Sequence, residues 1–263
     1  MKKFISIIVI CALGFGMSAC KSKNSTKSET NRTTNKSIHT PKNSLDWPGI
    51  YTGTVPCADC AGIYTQITLK EDNTYSLQTK YLGKGKSGEN LKGTFQWNNA
   101  ETIVTLSGLK EKSGPYLYQV GENRLIQLDK DGKVITGELA SNYVLIKVNK
   151  DLVEKKWKLI ELNGAALSTK NPQPAEAFII FQINDNRVSG NSGCNNFTGT
   201  YKRGTGSDLH FSNMVSTRKL CINMTVENQM NQVFQNVDSY TLQNATLSLN
   251  QGETSLARFV ISE

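Results

Sequence analysis

Hydrophobic and polar positions alternate with a period of two through most of this chain. Ile63, Thr65, Ile67 and Leu69 interleave with Tyr64, Gln66 and Thr68, and the alternation resumes over 74–82 after a turn at Glu71, Asp72 and Asn73. Successive side chains of a strand point to opposite faces, so this spacing predicts half-buried β-strands. Further strands are predicted at 49–55, 91–97, 102–106, 116–120, 125–128 and 143–148. Turn residues such as Asn98-Asn99, Gly121-Glu122-Asn123 and Lys130-Asp131-Gly132 separate them. No window of this half shows helical spacing. About eight strands in sequence predict an antiparallel meander closing into a small lipocalin-like β-barrel over 45–149.

The texture changes after Lys150. Residues 157–162 read as a strand, Asn163-Gly164 as a turn and Asn171-Pro172-Gln173-Pro174 as a loop. The apolar run 178–183 suits a strand buried on both faces. Segments 188–193 and 197–201 follow, rich in Gly and Asn. Val226, Met230, Val233, Phe234 and Val237 then fall on one face of a helix. Thr225 is its expected N-cap, with Glu227 in the first turn. Strands return at 240–242, 246–249 and 256–261. The second half, 152–263, is thus expected to be α+β with one principal helix, and the whole chain mainly β.

The N-terminus changes the picture of location. Lys2 and Lys3 precede a nearly all-apolar stretch, 4–15, and then Gly16-Met17-Ser18-Ala19-Cys20. The stretch is shorter than the ~20 residues a spanning helix needs, and small residues precede Cys20 as a cleavage site requires. Residues 1–19 resemble a bacterial lipoprotein signal, which implies acylation of Cys20 and a membrane anchor. The net charge of +8 is not a nucleic-acid signature. Lys2 and Lys3 leave with the signal, and residues 21–44 carry six cations (Lys21, Lys23, Lys27, Arg32, Lys36, Lys42) against Glu29 alone. The folded remainder is near neutral. The basic, Ser/Thr/Asn-rich stretch 20–44 reads as a disordered tether. Lys21 follows Cys20 where some bacteria place an acidic inner-membrane retention signal, so the outer membrane, facing the periplasm, is the expected address.

Four cysteines remain for an oxidising compartment. Cys57 and Cys60 stand two residues apart in Pro56-Cys57-Ala58-Asp59-Cys60-Ala61-Gly62-Ile63. A thioredoxin-type pair sits at a helix N-terminus; here Gly62 and a strand follow, which argues against an oxidoreductase. Two thiolates could take Cu(I), a soft ion that accepts low coordination, with Asp59 as a third ligand or as a turn residue. No histidine lies in this half, and Met214, Met224 and Met230 all lie in the other. A local disulfide, redox chemistry and a metal site therefore stand as competing readings of Cys57 and Cys60. Cys194 and Cys221 form the second candidate disulfide, the alternative being two buried thiols. Asp208, His210 and Ser212 share one face of a strand, which does not supply the sequential hydrogen bonding of a triad. No G-x-S-x-G, H-E-x-x-H or phosphate-binding glycine loop occurs, and no enzyme is expected.

Two resemblances accompany these readings. The run from Gly49 through Pro56-Cys57-Ala58-Asp59-Cys60-Ala61-Gly62-Ile63, with Tyr81-Leu82-Gly83, Gly93-Thr94-Phe95-Gln96-Trp97 and Leu128-Asp129-Lys130-Asp131-Gly132, resembles the N-terminal domain of the NlpE family of copper-resistance lipoproteins. Trp157-Lys158-Leu159 and Gly193-Cys194-Asn195-Asn196-Phe197-Thr198-Gly199-Thr200-Tyr201 resemble the META/HslJ domain. The first implies a small envelope barrel linked to copper tolerance and envelope-stress signalling, with envelope proteins of a stress pathway as partners. The second implies an α+β envelope domain without established catalysis. A barrel carrying a small apolar ligand and a periplasmic scaffold are the alternatives.

Overall fold

A computed structural model of the protein describes residues 39–84, 87–108, 117–167 and 175–262. The signal, Cys20, most of the tether and the loop 171–174 lie outside the described residues. A helical turn, α1 (Pro41–Ser44), opens the described chain inside the stretch expected to be tether. Thr40 and Lys42 donate to the Glu101 carboxylate at 2.8 Å each, and Trp47 Nε1 donates to Lys42 O. These contacts fasten α1 to the barrel.

Eight strands follow: β1 (Gly49–Val55), β2 (Ile63–Leu69), β3 (Thr74–Tyr81), β4 (Ser87–Trp97), β5 (Ile103–Leu106), β6 (Leu117–Gly121), β7 (Arg124–Gln127) and β8 (Val144–Lys147). Each pairs antiparallel with the next, and β8 returns to β1, closing a barrel. The inward set is the odd or even series that the alternation marks. It comprises Tyr51 and Val55, Ile67 and Leu69, Tyr75 and Leu77, Val104 and Leu106, Tyr118 and Val120, Leu125, and Leu145, all buried in one cluster with Trp47 and Phe95. These side chains fill the barrel interior. The seam between β1 and β8 is short, with only Tyr51 opposite Lys147 and Thr52 opposite Ile146.

The second half is one curled antiparallel sheet. Its strands are β9 (Lys156–Leu162), β10 (Ala165–Ala166), β11 (Phe178–Phe181), β12 (Arg187–Asn191), β13 (Asn196–Arg203) and β14 (Leu209–Ser216). After helix α2 (Thr225–Asn236) come β15 (Ser239–Gln243), β16 (Thr246–Gln251) and β17 (Thr254–Ile261). The sheet order is β14-β13-β12-β11-β9-β17-β16-β15, with β10 paired to β9. An isolated bridge, Asp208 to Ser239, brings the two outer strands together. Met230, Val233 and Phe234 of α2 pack on Phe197, Leu159 and Phe259 in one core.

Two local expectations are corrected. The N-cap of α2 is Met224, not Thr225, and it makes no side-chain cap bond. Thr225 is already helical, and its N–H donates to Asn223 Oδ1 at 3.0 Å, so an asparagine two residues upstream supplies the acceptor. The run 178–183 is not buried on both faces. Ile179 and Phe181 are fully buried, whereas Phe178 and Ile180 are half-buried. Only one face of the sheet meets α2; on the other, the Lys156 ammonium lies 4.5 Å from the Phe178 ring centroid.

The connection between the halves is not a free linker. Val148, Leu152 and Val153 are buried in the second core, and Trp157 Nε1 donates to Leu152 O. Truncating a fully buried leucine leaves a cavity as well as losing transfer energy. Leu152→Ala is expected to cost about 3 kcal/mol, read as a lower urea midpoint with an unchanged slope.

Candidate functional site

Cys57 and Cys60 sit on the loop joining β1 to β2. In the structure they form a disulfide, with Sγ–Sγ 2.06 Å and Cα–Cα 5.3 Å. The loop is tied back to the barrel where Ala61 N donates to Leu82 O and Leu82 N to Gly62 O at 2.9 Å. Gly62 has φ +146°, and a Cβ there would lie 2.5 Å from Thr54 Cγ2. The glycine thus lets the chain turn from the second cysteine straight into β2. No helix follows the pair, so no helix dipole acts on either sulfur.

Among the described residues, Cys57, Asp59 and Cys60 are the one group of three His, Cys, Asp or Glu side chains compact enough for a metal, with ligand atoms within 4.8 Å of one another. In this state both sulfurs are oxidised and the exposed Asp59 carboxylate is paired with Lys84. The donor set fits Cu(I) only after reduction of the disulfide, when two thiolates become available. Closing so short a loop stabilises by about 2 kcal/mol at most on the chain-entropy rule. Cys57→Ser with Cys60→Ser is therefore expected to lower stability by no more than about 2 kcal/mol and to leave the far-ultraviolet circular dichroism of the barrel unchanged.

The disulfide borders a cleft of about 770 Å³ between the two halves. One wall is the outer face of β1 with Ser141 and Asn142; the other is β13, Ser212 and Asn213 of β14, and the turn at 185–187. At its base lies Arg203, only 8% exposed. Its guanidinium donates to Lys147 O at 2.8 Å and to Thr52 Oγ1 at 3.3 Å. Tyr64 donates to Ile183 O at 2.6 Å, and Tyr201 to Gln182 O at 3.1 Å. Burial pushes the Tyr201 phenol up to about 12 and also raises that of Tyr64, so both are neutral donors at physiological pH. Lys80 pairs with Asp185 across the same junction.

Sequence reasoning missed this junction. A signal was present: Thr52, Tyr64 and Ile146 lie on the outer face of the barrel yet are buried, and Ile50 packs against the second core. Strands apolar on both faces mark a second packing partner.

Cys194 and Cys221 also form a disulfide, 27 residues apart with Cα–Cα 6.2 Å. Beside it, Asn195 is 1% exposed. Its Oδ1 accepts from Lys219 N and from Thr217 Oγ1, both at 2.7 Å. Its Nδ2 donates to Lys219 O at 3.0 Å and to both oxygens of the buried Glu227 at 3.0–3.1 Å. The Asn195 backbone N–H also donates to Glu227 Oε2. One amide therefore joins β13's approach, the 217–221 segment and the first turn of α2. Asp208, His210 and Ser212 are all exposed. Ser212 shares a hydrogen bond with Thr200, and Asp208 belongs to the edge bridge with Ser239.

Residues 51–138 match the family model of the NlpE N-terminal domain, and residues 150–263 match that of the META domain. Lipoprotein NlpE of Escherichia coli (strain K12) is 31% identical over 99 residues, which is 37% of this chain and 40% of that protein. The chain thus spans less than half the length of that curated relative. A putative lipoprotein from Shewanella oneidensis, solved by crystallography, is 44% identical. That alignment covers 41% of this chain and 94% of the other, with a TM-score of 0.37. The Cpx pathway activator NlpE from Escherichia coli is 20% identical, covering 58% of this chain and 84% of that one, with a TM-score of 0.30.

Proposed function

We propose, from a chain that joins an NlpE N-terminal domain to a META domain, that the protein is a lipid-anchored envelope protein reporting envelope or surface stress. The matched domains carry this reading, together with the 31% identity to Lipoprotein NlpE of Escherichia coli. Acylation at Cys20 would supply the anchor, and the outer membrane facing the periplasm is the proposed address. The function is one of binding and signalling rather than catalysis, and its partners are envelope proteins of a stress-response pathway.

Placement of the Cys57–Cys60 loop on the rim of the inter-half cleft favours a specific version of this reading. Opening the disulfide with a thiol reductant delivers two electrons and two protons and frees two thiols. Deprotonated, these could hold Cu(I). Either event alters the wall on which the second half rests, and copper tolerance would follow from this loop.

The test is genetic and chemical. A strain lacking the gene should lose induction of envelope-stress transcripts, and complementation by the wild-type chain, but not by Cys20→Ser, should restore it. Restoration by the unanchored chain at equal abundance would remove the anchored-sensor reading. Cu(I) titration of the reduced protein should show a site that Cys57→Ser with Cys60→Ser abolishes. Unchanged affinity in the double variant would take copper out of the proposal.

A further inference from the structure

The segment 217–224 between β14 and α2 displays two aliphatic side chains to water. Leu220 and Ile222 are fully exposed, the most exposed large hydrophobic residues described. Floppy loops expose such residues without consequence, but this one is held. Thr217 N donates to Asn196 O, Lys219 is bonded through both its N–H and its carbonyl to Asn195, and Cys221 is bonded to Cys194. The clamped positions are 217, 219 and 221. The alternating positions Arg218, Leu220 and Ile222 are all exposed. A disulfide and a buried asparagine therefore keep apolar side chains in solvent, where burial nearby would have been favourable.

We infer that this loop is a membrane-surface contact, with Leu220 and Ile222 entering the interfacial region of an anionic bilayer and Arg218 and Lys219 meeting lipid phosphates. Two observations select this occupant. Cations and aliphatics are adjacent, and no acidic residue occurs between Asp208 and Glu227, which is itself buried. That is the pairing an anionic headgroup layer with an acyl layer beneath it accepts. The area is also small. Two aliphatic side chains offer on the order of 300 Å² of apolar surface, well under the ~800 Å² per partner of a stable protein interface. A bilayer needs no such area when another anchor already holds the protein close. The inference borrows that proximity from the proposed acylation at Cys20, while the loop's own affinity does not depend on it. Residues 20–38, if fully extended, would reach at most about 65 Å.

The test uses the full chain with Ile222→Trp and vesicles of phosphatidylethanolamine containing about a quarter phosphatidylglycerol, with or without brominated acyl chains. The native Trp47, Trp97 and Trp157 give the background. The added fluorescence should be quenched by brominated lipid, in the acylated chain at low lipid and in Cys20→Ser at high lipid. Arg218→Gln with Lys219→Gln should weaken partitioning of the unacylated chain about thirtyfold, roughly fivefold per charge. Leu220→Ser should weaken it by at least about tenfold. Anchoring is read separately, by sedimentation of the acylated chain and of Cys20→Ser with vesicles, so that either idea can fail alone. Fluorescence indifferent to brominated lipid in both chains would overturn the inference. So would shielding from a soluble quencher only in whole envelopes and not on vesicles, which would assign the loop to a protein partner.

Discussion

Replacing Cys194 and Cys221 together with serine is expected to destabilise the second half by about 3.5 kcal/mol, because the bridge closes a loop of 28 residues, Cys194 through Cys221. In a chain of this size that is a fall in melting temperature of roughly 10 °C. The effect should fall on the META half, because the bridge holds the approach to α2 onto its sheet. Differential scanning calorimetry of the double variant beside Cys57→Ser with Cys60→Ser measures the asymmetry. The second pair closes a loop of only four residues, and its loss is expected to cost about half as much. Equal shifts from the two would show that unfolded-chain entropy is not what separates the bridges.

The second large effect is expected from a change of one atom. Asn195→Asp keeps the oxygen that accepts from Lys219 N and Thr217 Oγ1. It replaces the nitrogen that faces Lys219 O and both oxygens of Glu227 at 3.0–3.1 Å with a carboxylate oxygen. A buried negative charge then meets a carbonyl and a carboxylate. The expected cost at neutral pH is about 3–5 kcal/mol. The new carboxyl is held above its unfolded value near 4, so the fold prefers its protonated form. The deficit against wild type is therefore smallest at or below about pH 4 and grows as pH rises through the raised value. Urea denaturation of both chains across pH 4–8 checks the sign. Asn195→Ala, which adds no charge, should cost about 2–3 kcal/mol. A pH-independent deficit in the Asp variant would mean that the polar cluster opens to water instead.

The barrel was legible because its inner face is built from single alternating series, Ile67 and Leu69 on β2 or Tyr75 and Leu77 on β3. A pattern of period two needs no knowledge of the rest of the chain. The junction was legible only in part: Ile50 and Ile146, apolar on the outer face of the barrel, signal a second packing partner, whereas burial of Thr52 and Arg203 is decided by another part of the chain. The run 178–183 misled for a related reason: composition shows that a segment can be buried, while the number of layers packed on it decides whether both faces are. The cap of α2 went to Met224 because Asn223 supplies the acceptor from outside the helix. Of the candidate site, the two cysteine pairs could be read from residue type and compartment. The cleft beside the first pair, and the clamp of Asn195 and Glu227 beside the second, required the fold.

Arg203 has a mechanical role as well as a place in the cleft. The chain enters the barrel at β1 and leaves it at β8, and Tyr51 stands opposite Lys147 at that end of the seam. A pull applied between the N-terminal side and the META half would load these two strands from the same end, peeling them apart one hydrogen-bonded pair at a time. That is the weakest way to load a sheet, and this seam has two register pairs. Arg203 spans it, with one nitrogen on Lys147 O of β8 and the other on Thr52 Oγ1 of β1. The META half thus carries the rivet for the joint that a pull on itself would open, so tension and the release of tension act on the same few bonds.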